Sequence, residues 1–283
     1  MHRLELKLDA NGVVAPAQRA AWQCSEIITF SLQSAAAADL SKQPEIVSNT
    51  MRYSFTGPPI SAEERFKIYE NWLLAKGFQD LARGIRETLE EAVFYLEMMK
   101  YQPGKTTVGE FNEHIAAIRR RAGRLQFPEL MAEVNAGLKS PMAFEGEFLL
   151  LQKVRNCLEH RAGIVGEVDL NEPGKLTLIL PRLKMFYMHQ DQEVELEVGA
   201  IIDTHEHEGL AKGAEILLKH DVRTRSYDLG QQVAFDSKEF SEIAFACHLF
   251  AADIGSKLPT LAAAEPSSAY IADGSNAESS NQT

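Results

Sequence analysis

The chain has 283 residues, 45% hydrophobic and 24% charged, with 29 Lys and Arg against 40 Asp and Glu, for a formal charge of −11. That length can bury a sizeable core in one large or two modest domains, and 18 Gly and 11 Pro are too few for a fibrous or wholly disordered chain. The acidic balance excludes a surface coated with Lys and Arg for bulk binding to nucleic acid or membrane, because counterion release needs clustered cations.

At the N-terminus Leu4, Leu6 and Leu8 alternate with charged residues, and no apolar run reaches signal-peptide length. No stretch approaches the ~18 consecutive apolar residues of a membrane helix, so no membrane partner is expected. Cys24, Cys157 and Cys247 are far apart and form no CxxC pair, so they read as reduced thiols and the expected address is cytoplasmic.

Residues 15–40 predict an Ala-rich helix with an apolar stripe of Trp22, Ile27 and Phe30, followed by a loop marked by Pro44 and Gly57-Pro58-Pro59. Ser61 and Glu64 form a capping box, and the helix they start carries Phe66, Tyr69 and Leu73 inward. Gly77 interrupts; residues 78–101 continue with Leu81, Ile85, Leu89 and Leu96 at helical spacing until Pro103-Gly104. Thr107 and Glu110 form a second capping box, opening a helix that runs through Arg119-Arg120-Arg121. Pro128 opens a short helix, and Ser140-Pro141 starts a long one, with Ser as cap and Pro at the first helical position.

After Gly163 the texture changes. Residues 176–180, 183–188 and 194–202 are short β-prone runs, and residues 215–227 suggest another strand. Asp236 and Glu239 cap a last helix with Phe240, Ile243, Ala244 and Leu249 as its stripe, and residues 259–283 have little to bury and read as a disordered tail. The expected fold is α+β and mainly α: a helical domain over residues 1–165, a β-rich mixed portion with a final helix over 166–258, and the tail.

The most informative segment is residues 149–165. On a helical wheel Phe144, Phe148, Leu151, Leu158 and Ala162 form one stripe, and Arg155 falls inside it. A guanidinium on a core-directed stripe is costly unless it is paired, hydrogen-bonded or open to a cleft. A structural ion pair with Glu90, Glu91 or Glu97 of a neighbouring helix is one way to meet that cost.

The same segment resembles the signature of the HEPN superfamily, whose fourth core helix carries Arg, four to six residues, then His, often with a polar residue directly after the Arg. Arg155-Asn156-Cys157-Leu158-Glu159-His160 fits that pattern, with Asn156 in the polar position. Arg182 and His189 have similar spacing, but in a strand-prone run where the family does not place its motif. The resemblance covers the helical block and implies an all-α up-down bundle that dimerises. It also implies a metal-independent endoribonuclease of a toxin–antitoxin, antiviral or RNA-processing system, or an inactive relative that binds nucleotides or partner proteins. RNA, a second copy of the chain, and an antitoxin or other protein are therefore the expected partners. Some HEPN toxins carry a Tyr two residues after the His, which a partner enzyme modifies; Ala162 stands there instead, which argues against that circuit.

The residue types suit the chemistry. Attack of a ribose 2′-OH on the adjacent phosphorus needs a proton acceptor, a proton donor and stabilisation of charge on the phosphoryl oxygens. His160, a side chain with an unperturbed pKa near ~6.5, can serve as general base or acid. Arg155 would supply fixed charge and paired donors to the phosphate, and Asn156 would orient the His or a phosphate oxygen. Five residues separate Arg155 from His160, about 140° on an ideal helix, so a dimer that pools two copies of the motif in one cleft is favoured.

Arg119, Arg120, Arg121 and Arg124 form the densest positive run. Such a run is ordinarily a solvated face, and RNA docking is its sharper reading, with Lys153 and Arg161 as contacts beside the motif. Asp203, His205, His207 and Glu208 could be taken for a metal site, but a solvated strand end or turn is the expected reading, and no metal is assigned. There is no Walker loop, Rossmann fingerprint or Gly-x-Ser-x-Gly elbow, and no cofactor is expected. Residues 100–165 hold ten Lys and Arg against seven Asp and Glu, a balance of +3, which leaves −14 elsewhere and permits a small basic cleft.

Overall fold

The structure, a computed structural model, describes residues 8–47, 49–53, 57–102, 106–189, 191–196 and 215–260. The protein is α+β and mainly α. Its helices are α1 (Ala10–Ala37), α2 (Ala62–Lys100), α3 (Val108–Ala122), α4 (Phe127–Gly137), α5 (Glu145–His160) and α6 (Ser237–Lys257). Its strands are β1 (Ile46–Val47), β2 (Arg52–Tyr53), β3 (Lys175–His189), β4 (Gln192–Glu195) and β5 (Leu217–Asp228). The small β1–β2 hairpin has no forerunner in the sequence reading.

Local chemistry fixes several helix starts where the sequence places them. The Glu64 N–H donates to Ser61 Oγ at 3.1 Å, while the Ser61 N–H donates to Glu64 Oε2 at 2.8 Å. Thr107 with Glu110, and Asp236 with Glu239, repeat this exchange at α3 and α6, and Pro128 occupies the first turn of α4.

Packing overrides the sequence reading elsewhere. Gly77 does not interrupt α2. A Cβ there would meet the Ile28 side chain and come within 2.8 Å of the Phe240 ring, and one at Gly84 would come within 2.6 Å of Ala20. The two glycines thus mark where α1 passes close along α2, antiparallel to it. That close approach decides which side of α1 faces in. Val13, Val14, Ala17, Ala21, Cys24 and Ile28 are buried, whereas the expected stripe of Trp22, Ile27 and Phe30 is exposed. Small side chains let the backbones approach, so the larger ones are turned outward. Pro16 lies inside α1, and the neighbouring Ala17 N–H donates to the buried Thr88 Oγ1 of α2 at 3.1 Å. In the first turns of α2, Phe66, Tyr69 and Leu73 are only half-buried, and Leu74 is the residue that enters the core.

The long helix predicted from Ser140-Pro141 starts instead at Glu145, because the preceding segment is tied to other elements. The Met142 N–H donates to Asn135 Oδ1 at 2.8 Å and the Ala143 N–H to Asp253 Oδ2 at 3.0 Å, while the Pro141 carbonyl accepts from Lys257 Nζ at 2.7 Å. Phe144, at φ 57°, then turns the chain into α5.

The runs at 176–180 and 183–188 are a single strand, β3. β5 pairs antiparallel along it in unbroken register from Lys175↔Asp228 to Phe186↔Leu217. β4 pairs on the other edge, from Phe186↔Glu195 to His189↔Gln192, giving the order β4-β3-β5. Of the predicted run 194–202, only the start is seen in β4; residues 197–202 lie outside the described residues, as do Asp203, His205, His207 and Glu208 and residues 261–283 of the expected tail.

Leu176, Leu178 and Leu180 of β3 belong to the same buried cluster as Leu81, Leu89, Phe148 and Phe250. The portions on either side of residue 165 therefore share one hydrophobic core, with α6 packed on α1, α2 and β3. Ion pairs tie the sheet to α6: Arg225 pairs with the buried Glu239, and Arg223 with Glu242 at 2.9 Å. Arg182 bridges Glu195 at 2.6 Å and Asp221 at 2.5 Å, so the pair Arg182 and His189 is part of a sheet. No helix among the described residues is long and apolar enough to cross a membrane. Cys24, Cys157 and Cys247 are free and buried.

Candidate functional site

α5 carries the motif. Phe148, Leu151, Val154, Cys157 and Leu158 recur at helical spacing and are buried, which fixes the helix against α2, β3 and α4. Glu145 and Glu147 lie in its first turn and His160 in its last, each suited to the helix macrodipole. The helix ends abruptly: the Arg161 and Gly163 N–H groups both donate to the Cys157 carbonyl at 3.0 Å, with Ala162 at φ 51° and Gly163 at φ 81°. Gly163 takes that conformation freely, whereas Ala162 takes it against its Cβ.

At this end of α5 the side chains meet around a residue the sequence reading passed over. The Arg155 guanidinium forms an ion pair with Glu159, one turn on, and its Nη1 donates to Asn156 Oδ1 at 3.1 Å. Gln152 Nε2 donates to the same oxygen at 3.4 Å. His160 Nε2 lies 3.9 Å from Glu159 Oε2. Arg155 and His160, separated in angle on an ideal helix, therefore both reach one carboxylate. The Arg155 side chain is 32% exposed and that of His160 60%, so the cluster faces solvent at the rim of the core. The expected partners of Arg155 are engaged elsewhere: Glu90 by Arg86, Glu91 by Arg119, and Glu97 by Lys100 and Arg121. The i,i+4 spacing of Arg155 and Glu159 is the signal that could have found the true partner.

The remaining candidates divide sharply. Arg119 holds Glu91 through both terminal nitrogens and lies 4.3 Å above the Phe94 ring, and Arg121 holds Glu133 in the same two-pronged way. Hydrogen bonding to Glu133 is the main cause that raises the Arg121 pKa above the usual guanidinium value. Arg120, Arg124 and Lys153 are exposed, with no side-chain partner among the described residues. Arg161, read from sequence as an RNA contact, is clamped onto Asp169: its Nε donates to Oδ2 at 2.7 Å, its Nη2 binds Oδ1, and the Asp169 side chain is only 3% exposed.

Position along α2 shows what the fold brings together. The α3 arginines pair with Glu91 and Glu97, while Leu158 and Ala162 at the end of α5 share a cavity with α2 residues from Ile68 to Gln79. Gln152, which bonds Asn156 of the cluster, meets α2 at Ala82 and Ile85, and at about 1.5 Å per residue Ile85 and Glu91 are roughly 9 Å apart on the helix axis. Arg119 and Arg121 are thus held by Glu91, Glu97 and Glu133, not by the α5 cluster. The chain matches no protein-family model, no curated protein and no solved structure.

Proposed function

We propose that the chain is a metal-independent endoribonuclease of HEPN type, in which Arg155 and His160 carry the reaction and Asn156 assists. The observation that supports it is the convergence of Arg155 and His160 on one exposed carboxylate, Glu159, at the end of α5, with Asn156 Oδ1 accepting from the same guanidinium. The Glu159 oxygens mark where an anion can be held. An exposed i,i+4 pair is worth only about 0.3–0.5 kcal/mol, so a phosphate diester can displace the carboxylate at little cost. The diester would then accept from the Arg155 guanidinium, with His160 placed to move a proton. His160 takes the 2′-OH proton, or delivers one to the departing 5′-oxygen, as the P–O5′ bond breaks and a 2′,3′-cyclic phosphate forms. One subunit presents one such histidine, so a second copy of the chain would supply the other proton-transfer group. Toxin or antiphage action, with an antitoxin or other protein as its check, is the biological setting this reading suggests.

The test is incubation with RNA in EDTA. Chelator-resistant cleavage that is lost in both Arg155→Ala and His160→Ala, each still folded by circular dichroism, is the expected result; cleavage that survives either substitution overturns the site assignment. The second reading is a catalytically silent dimerisation or partner-binding module. It is favoured by the engagement of Arg155 with Glu159, and it predicts no cleavage across a broad RNA set.

A further inference from the structure

A cavity of about 480 Å³ lies between α2 and the end of α5, within the usual size range of small-molecule sites. Its floor is apolar, with Leu74, Leu158 and Phe235 all buried, and Phe235 is held rigid by parallel stacking on Phe78 at 5.0 Å. Trp72 stands at its edge, 66% exposed, an indole face with no ring stacked on it among the described residues. Asn71 also lines the cavity. Its Oδ1 is buried and has no hydrogen-bond donor among the described residues. Native proteins rarely leave a buried acceptor unpaired, so such an atom beside a cavity points to a donor brought by a ligand.

α5 runs antiparallel to α2. Leu151 and Gln152 meet Leu81, Ala82 and Ile85 around one small cavity, whereas Leu158 and Ala162 meet α2 farther toward its N-terminus around the larger one. Arg155 falls between them in sequence, within one helical turn of Leu158. Lys76 lies at the cavity too, sharing its charge with Asp80 at 3.4 Å. A flat apolar floor, an open indole face, one amide acceptor in need of a donor and a lysine at the rim fit a nucleotide better than a lipid or a sugar. A base can stack on Trp72, and an amide that offers acceptor and donor side by side matches the amino group and ring nitrogen of adenine.

We propose that this cavity is an adenine-binding site, with Asn71 as the base-reading residue and Trp72 as the stacking platform. Under the ribonuclease reading, on which this step rests, it is the subsite for a base next to the scissile phosphate at Arg155. The adenine can come from RNA or from a free nucleotide.

Calorimetric titration of the full chain with AMP, purine riboside 5′-monophosphate, which lacks the 6-amino group, and a cleavage-resistant 2′-O-methyl oligoadenylate tests the site. AMP is expected to bind about tenfold or more tightly than the purine riboside monophosphate, the effect of the one hydrogen bond from the 6-amino group gained or lost at Asn71 Oδ1. Asn71→Leu should lose that preference while melting at or above the parent temperature, because it removes an unpaired acceptor. Trp72→Ala, at an exposed position that leaves the fold intact, should weaken AMP by a similar factor. Equal binding of AMP and the purine riboside monophosphate, no binding of either, or unchanged AMP affinity in both variants overturns the site; so does an Asn71→Leu protein that melts well below the parent, since Asn71 would then be bonded within the fold. Tighter binding of the oligoadenylate than of AMP assigns the site to RNA, and equal binding assigns it to the free nucleotide. Cleavage without AMP binding would sink the adenine site alone, and AMP binding without cleavage would sink the ribonuclease reading alone.

Discussion

Arg155 and Arg161 lie six residues apart at the end of the same helix, and their surroundings differ in one respect that governs the rest. Arg155 pairs with Glu159, whose side chain is 38% exposed; Arg161 pairs with Asp169, which is almost wholly buried. A buried carboxylate cannot give up its cation without being left uncompensated, whereas an exposed one can be traded for water or for another anion. The two arginines thus show that partner burial, more than residue type or sequence proximity, separates a structural cation from one available for chemistry. The Asp169 oxygens also accept from the Gly166 N–H at 2.9 Å, so the Arg161 clamp fixes the turn on which the exposed cluster rests.

The comparison breaks most directly at Arg161. Arg161→Ala should cost about 3 kcal/mol in urea unfolding by stranding Asp169, and a loss no larger than that of Arg155→Ala would remove the distinction. Arg182, 13% exposed and shared by Glu195 and Asp221, stands between the two cases. Its hydrogen bonds to Glu195 hold that carboxyl below its ordinary value of 4.5. A depressed carboxylate stabilises the fold above its unfolded pKa and loses that contribution as pH falls through the folded value. Glu195→Gln should therefore cost about 1 kcal/mol at neutral pH and flatten the fall in stability below pH 4.5, which a series of melting curves at stepped pH would read.

A smaller effect is expected at the junction of the two turns. Ala162→Gly removes the penalty of a left-handed alanine, less the entropy glycine loses on folding, and should stabilise the protein by about 0.5 kcal/mol in the same urea assay. The least change belongs to Arg155→Ala, about 0.3 kcal/mol of stability, even as cleavage is abolished. A large loss of stability there would move Arg155 into the structural class and withdraw support from the nuclease.

What the sequence made legible is local. Ser61, Thr107 and Asp236 announce helix starts because their caps are made with residues three positions on, and the strand over residues 215–227 is seen as β5. What it hid is set by distant partners. Nothing near Gly77 says that Phe240 will lie against it, and the wheel of α1 shows a stripe at Trp22, Ile27 and Phe30 without showing that the alanine side packs. At the site, the motif on α5 could be read because helical spacing organises it. The Arg161 clamp and the Asn71 cavity could not, since each needs chain returning from residues 166–169 or 232–235.

The three buried thiols have an experimental consequence. Burial pushes the Cys157 thiol up to about 11 and Cys24 up to about 11, and raises Cys247 as well, so each is a poor nucleophile toward an alkylating reagent while the fold is closed. Cys157 sits beneath the α5 cluster, donating to the Ile164 carbonyl at 3.4 Å, while Cys247 lies deep on α6. The rate at which each becomes labelled therefore times two different openings: fraying of the helix end that carries Arg155 and His160, and unfolding of the whole core.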